Sequence, residues 1–427
     1  MGQLVAKAEA AIAKVTALGE KASAIFVEFT PARILADAER VEKLAAKAGG
    51  RLPLEGLLVS VKDLYDEASQ RTTAGSRLLQ DRDTATQDCP IVDRIKAAGG
   101  IPFGRTSMSE FAFSGVGLNP HHGTPGNVFD EDRIPGGSTS GGALSVALGL
   151  CDIALGTDTG GSVRIPAAVN GLYGFKPSQD AVPAEGIHPL APTFDTAGPL
   201  AADLETTVRA YAVMSASEAS ITPAPAARRL ALPLGAFVND LDTATARHFE
   251  AAAAALEKAG HRLEELDLGF LQDAIGVNRI IVPVEAYRIY NQDLERLETL
   301  GDPRVLKRIR FGETLSTAEI EEAYGLRAET VRRFDAALAG YDALIAPTLR
   351  TEPPTIAETE AEFDRCNAAM LRNTSLLNLA DACALSMPLR KTADQPGDRP
   401  GALMLAAPKG QDWPLLDLAR QLDALDL

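Results

Sequence analysis

Cysteine is scarce in this chain. Cys89, Cys151, Cys366 and Cys383 lie far apart and form no Cys-x-x-Cys pair, which argues against structural zinc and suits a reduced, cytoplasmic setting. Histidine is nearly as sparse, at His121, His122, His188, His248 and His261. The adjacent pair has no evident third ligand, so no metal is expected and both read as solvated loop histidines. No run of 18 apolar residues exists, so no helix is expected to cross a membrane. Met1 to Glu9 begins an amphipathic helix and lacks the basic region, apolar core and cleavage site of a signal peptide. Positive charge is short as well. Lys and Arg number 42 against 58 Asp and Glu, a net charge of −16, which disfavours nucleic acid as a partner. The Gly-rich stretches fit neither the phosphate-loop string ending in Gly-Lys-Ser/Thr nor Gly-x-Gly-x-x-Gly after a strand.

What is present is the profile of a soluble globular protein with a sizeable core: 46% hydrophobic and 23% charged residues in 427. The most informative stretch runs from Arg133 to Ser178. It holds two Gly/Ser-rich turns, Gly136 to Gly142 and Gly156 to Ser162. Between them, Ala143 to Gly149 suits a short packed helix and Cys151 to Leu155 a buried strand. Val163 to Ala168 can open another helix, which places Ser162 at a strand-to-helix turn with free backbone N–H groups. Glycine pairs serve where the backbone approaches a ligand closely or takes positive φ. Each turn alone reads as a connector. Together they suggest an anion-stabilising cradle beside a nucleophile.

This stretch resembles the signature of the amidase signature hydrolases, which include malonamidase, indoleacetamide hydrolase, fatty-acid amide hydrolase and the A subunit of tRNA-dependent amidotransferases. In that family a lysine and two serines form the catalytic triad, and the serines are 24 residues apart. Ser138 and Ser162 have that spacing, and Leu57 to Asp63 (LLVSVKD) supplies the lysine, Lys62, at the end of an apolar strand. Ser140 is a rival for the first serine but lies 22 residues before Ser162. A Ser-His-Asp alternative has no histidine in either turn and no Gly-x-Ser-x-Gly elbow around Ser162. A buried lysine can replace histidine because desolvation favours the neutral amine.

The resemblance implies an amidase without metal or organic cofactor. Lys62 would be the base, Ser138 the proton shuttle after a cis Gly137–Ser138 bond, and Ser162 the nucleophile that forms an acyl-enzyme. The backbone N–H groups of Thr159, Gly160, Gly161 and Ser162 would form the oxyanion hole. Gly136, Gly137, Phe111, Phe113 and Ser114 would line the substrate, with core packing an equal reading for Phe111, Phe113 and Ser114 individually. Arg164 reads as structural, paired with Asp158. A family turn, Phe194 to Leu200, follows the core.

The remaining chain supports an α/β fold with a large mixed twisted β-sheet covered by α-helices on both faces. Gln3 to Leu18 and Pro31 to Ala48 are expected helices around a strand at Ala24 to Phe29. Leu57 to Lys62, a helix at Cys89 to Ala98 and a strand at Ile101 to Gly104 make a βαβ unit. Asp203 should cap a helix reaching about Met214, and Ser215 to Ala227 reads as a linker or surface crossing. Residues 1–427 are expected to be one domain, with a signature core at about 50–215 and a sheet-completing segment at 340–427. The helical region at about 271–338 would cover the site and choose the substrate, through residues such as Glu285, Tyr287, Arg288, Tyr290 or Arg310. The expected partner is a small-molecule amide, with neither nucleic acid nor membrane, and the sequence is compatible with a homodimer. Two alternatives stand beside a free amidase: the A subunit of an amidotransferase, and a binding protein that keeps the fold without the chemistry.

Overall fold

Short apolar runs bounded by Gly, Pro and Asp become strands, and the alanine-rich amphipathic segments become helices. The structure, a computed structural model, describes residues 2–218, 227–390 and 399–425. Eleven strands make one mixed sheet among the described residues. They are β1 (Phe26–Glu28), β2 (Leu58–Lys62), β3 (Ile101–Thr106), β4 (Ile153–Asp158), β5 (Tyr173–Lys176), β6 (Thr196–Ala201), β7 (Arg229–Leu234), β8 (Arg262–Asp267), β9 (Ala343–Pro347), β10 (Cys383–Leu389) and β11 (Gly401–Ala407). Their order is β1-β3-β2-β4-β6-β5-β10-β11-β9-β7-β8. β2 runs parallel to β3 and β4, and β7 runs parallel to β8 and β9. The middle of the sheet, from β4 through β6, β5, β10 and β11 to β9, is antiparallel.

The period-2 alternation of strand side chains divides the core. Val59, Val61, Ile153, Leu155, Ile345, Leu385 and Leu405 all enter one large cluster with residues of the helices Pro90–Ala97, Leu204–Ser215, Thr243–Lys258 and Asp412–Asp423. The opposite face is split. Leu58, Ala154 and Phe103 pack with the helices Gln3–Ala17, Pro31–Ala48 and Ser140–Ala147. Leu344, Ala384 and Met404 pack instead with the helices Thr317–Leu338 and Thr374–Leu379. Each fully buried Val, Leu or Ile contributes about 1.5–3 kcal/mol of transfer free energy. The two-sided burial explains why β2 and β4 read as continuous apolar runs.

Several expectations need correction. The strand expected at 24–29 is reduced to Phe26–Glu28, because Lys21–Ile25 is a helical turn. The helix after the first Gly/Ser turn begins at Ser140 rather than Ala143. The second turn is only half a turn: Gly156, Thr157 and Asp158 belong to β4, paired with Gly198, Ala197 and Thr196. For the same reason the segment read as a turn at 194–200 is mostly β6. Glycine and proline there disguised a strand whose ladder is completed by β4, a tertiary pairing that local propensity does not see. The helix capped by Asp203 ends at Ser215, and positions 219–226 of the expected linker lie outside the described residues.

Candidate active site

Parallel strands β2 and β4 deliver their C-terminal ends to the same edge, the usual place for a site in an open α/β sheet. Lys62 is the last residue of β2 and is fully buried. Its Nζ donates to Ser138 Oγ at 2.8 Å, Thr139 Oγ1 at 3.0 Å and Thr157 Oγ1 at 2.8 Å. Burial lowers its pKa from 10.5 to about 7, and the charges of Asp158 and Asp195 oppose that fall. An amine half neutral near pH 7 can take a proton from a hydroxyl bonded to it.

Ser138 follows a cis Gly137–Ser138 peptide and leads into the helix Ser140–Ala147. The next residue, Thr139, donates its N–H to the carbonyl of Ser162 at 3.3 Å, which ties the two Gly/Ser turns together. Ser140, the rival, keeps its buried hydroxyl without a partner among the described residues and does not bond Lys62. The N–H groups of Thr159, Gly160, Gly161 and Ser162 donate to no acceptor among the described residues. They are therefore free for an anion. The neighbouring Val163 N–H is taken by Asp158 Oδ2 at 3.1 Å. Gly161 has φ +138°, and a Cβ there would overlap the Thr374 hydroxyl, which itself donates to the Gly160 carbonyl at 2.6 Å. Only glycine fits that position.

A buried ion pair supports this turn from below. Arg164 Nε and Nη2 reach Asp158 Oδ2 and Oδ1 at 3.0 and 2.9 Å, and Asn378 closes the network from the helix Thr374–Leu379. Burial alone would raise Asp158, but Arg164 and the hydrogen bonds win and hold its carboxyl at about 2. The structural reading of Arg164 therefore agrees with its surroundings.

Above the turn a cavity of about 430 Å³ is lined by residues including Leu64, Ala112, Thr157, Thr159, His188 and Asp195. That volume falls in the range of small-molecule sites. Asp195 accepts from Thr159 Oγ1 at 2.5 Å and from the N–H groups of Leu190 and Ala191 at 2.9 and 3.0 Å. His188 meets Tyr290 Oη at 2.6 Å, and burial pushes it down to about 4, so it is neutral at pH 7. Of the proposed substrate-lining residues, Phe111 is wholly buried and stacks on Tyr290 at 4.2 Å. Phe113 packs beneath the Arg308 guanidinium, and Ser114 donates to Ser109 Oγ at 2.9 Å. It is Ala112 between them that reaches the cavity. Gly136 and Gly137 pack closely against Pro166 and Gly117.

The helical region does meet the site loop. Glu285 accepts from Thr193 N at 3.0 Å and from Tyr324 Oη at 2.6 Å, and Arg327 donates to the Thr193 carbonyl at 3.2 Å. Arg310 points elsewhere and pairs with Glu298 near the surface. His121 is not solvated: it bonds buried Glu110 at 2.9 Å, which also holds Ser76 and the Asp302 N–H. Among the described residues no group of three or more His, Cys, Asp or Glu could hold a metal, and no helix is long and apolar enough to cross a membrane.

The family model described as Amidase matches residues 7–416. The chain belongs to the amidase family. A 2-amino-5-chloromuconic acid deaminase of Comamonas testosteroni is 34% identical over 418 residues, 92% of this amidase and 87% of the relative. The A subunit of the glutamyl-tRNA(Gln) amidotransferase of Methanothermobacter thermautotrophicus is 32% identical over 421 residues, covering 94% and 91%. A crystal structure of an amidase superposes with a TM-score of 0.87 at 27% identity, over 99% of this chain and 96% of the other. Family and fold together make this chain an amidase-type hydrolase of carbon–nitrogen bonds. Sequence reasoning missed Thr157, Thr139 and Asp195, single polar residues whose roles come from what the fold brings next to them.

Proposed function

We propose that this amidase hydrolyses the carboxylic amide of a small molecule through a Ser162 acyl-enzyme. Lys62 takes the proton of Ser138, and Ser138 takes that of Ser162 as it attacks the carbonyl carbon. The tetrahedral oxyanion forms beside the free N–H groups of residues 159–162. The proton returns by the same path to the leaving nitrogen, and water then cleaves the acyl ester. The observation that carries this reading is the buried 2.8 Å bond from Lys62 to Ser138, made by an amine poised near neutrality. The single-domain reading also stands as part of the proposal, with residues 271–338 bracing the 188–195 loop that lines the cavity.

The test is ammonia release from a panel of primary amides that includes glutamine, with Ser162→Ala as control. Turnover of a simple amide, lost in the variant, supports a free amidase. Turnover of glutamine alone would turn the proposal towards an amidotransferase component, and no turnover by wild type towards a silent homologue.

A pH profile gives a second check. Lys62 must be neutral to act, and its pKa lies at about 7. The value of kcat/KM should therefore rise with pH, reach half its plateau near pH 7 and level off above about pH 8. A profile that is flat, or that falls, between pH 6 and 8.5 contradicts the assignment of Lys62 as base.

A further inference from the structure

Asp195 stands outside the recognised Lys-Ser-Ser set, yet it is a carboxylate that touches the 159–162 turn and acts on Lys62. The other carboxylate, Asp158, acts on Lys62 more strongly but is already committed to a two-pronged contact with Arg164. Asp195 has no cationic partner within ion-pair distance among the described residues. Its two oxygens instead accept from one hydroxyl and two backbone N–H groups. The 2.5 Å separation from Thr159 Oγ1 is typical of a hydroxyl donating to an ionised carboxylate. Thr157, which accepts from Lys62, lines the same cavity.

We propose that Asp195 is a positioning residue of the hydrolytic site, holding Thr159 in the oxyanion turn and placing an uncompensated negative charge toward Lys62. The proposal rests on the reading of Lys62 as base. Burial raises Asp195, while the three donors favour its anion. The charged groups bearing on Lys62 are Asp158 and Asp195. On the other side, Glu285 faces Asp195 from the helix Asn278–Tyr290. When Lys62 accepts a proton, Asp195 is the charge left to stabilise the ammonium without a competing cation. Removing that charge makes Lys62 a weaker base.

Asp195→Asn is the discriminating variant, because its carbonyl oxygen can still accept from Leu190 and Ala191 while its amide faces Thr159. The pH at which Lys62 titrates would be read by ¹³C NMR of [ε-¹³C]lysine-labelled protein, with the signal assigned through Lys62→Met. The expected midpoint moves down by about one unit in Asp195→Asn, the size of effect a nearby charge exerts. The acidic limb of kcat/KM moves down with it, and kcat falls about three- to tenfold at unchanged KM, as a weaker base demands. Thr159→Val keeps the charge and cuts the tether, so it should lower kcat and leave the Lys62 midpoint in place. An unmoved Lys62 midpoint in Asp195→Asn overturns the proposal, whatever Ser162 does. A moved midpoint in a protein whose Ser162→Ala variant remains active instead overturns the acyl-enzyme reading and leaves the Asp195–Lys62 coupling standing.

Discussion

Lys62→Met should lower kcat by at least about 10⁴-fold, the scale seen when one member of a nucleophile–base constellation is removed. The reason is local. The amine is the basic group bonded to Ser138, and its other two partners are the threonine hydroxyls of Thr139 and Thr157. The same substitution should not harm the fold. Burial holds Lys62 at about 7 in the folded protein against 10.5 in an exposed lysine. Between those values the unfolded chain binds the proton that the folded chain has lost, so this group makes stability rise with pH there. Below pH 7 the folded protein carries a buried ammonium, at full cost. Methionine removes that cost, so the melting temperature of the variant relative to wild type should be higher at pH 6 than at pH 8. Calorimetry at the two pH values, alongside kcat on the best amide of the panel, checks both halves. A kcat loss under tenfold would exclude Lys62 as the base. A variant destabilised equally at both pH values would mean that the lysine serves the fold.

Arg164→Met should give the largest loss of stability of any single change at the site. Asp158 and Arg164 are both wholly buried, and the pair joins β4 to the helix Thr374–Leu379 through Asn378. Removing one partner strands a charge in the interior, which costs about 3–5 kcal/mol. Removing both charges, as in Asp158→Asn with Arg164→Met, should cost less than the sum of the two single changes, because neither then leaves an unpaired ion. Urea unfolding of the four proteins in the cycle measures this. A single-variant cost under about 1 kcal/mol, or strict additivity, would show that the pair contributes little. Because Asp158 also holds the Val163 N–H next to Ser162, activity should fall in the same order as stability.

The candidate site residues were more legible in the sequence than their setting. Lys62, Ser138 and Ser162 stood out because glycine-rich turns and an apolar strand end are local features, and the structure places the Lys62 amine 2.8 Å from Ser138 Oγ. The Asp158–Arg164 pair was likewise readable from two residues six apart that flank the second turn. What stayed hidden depended on distant partners. β6 looked like a turn because Gly198 and Pro199 weaken the strand signal, and the ladder comes from its neighbours β4 and β5. Asp195 precedes that strand and gains its place from Thr159, 36 residues earlier, and from a loop that Glu285 pins to the helical region. His121 looked like a loop residue because nothing local announces its bond to Glu110. In each case the missing signal was a tertiary contact between polar groups, for which sequence carries no period.

The most direct test of the account is intact-protein mass spectrometry after incubation with a fluorophosphonate, with the adduct mapped by peptide digestion. Wild type should gain one phosphonyl group on Ser162, and labelling should collapse in both Ser162→Ala and Lys62→Ala. A wild-type protein that stays unlabelled, or an adduct that survives in Ser162→Ala, would contradict the Ser162 acyl-enzyme.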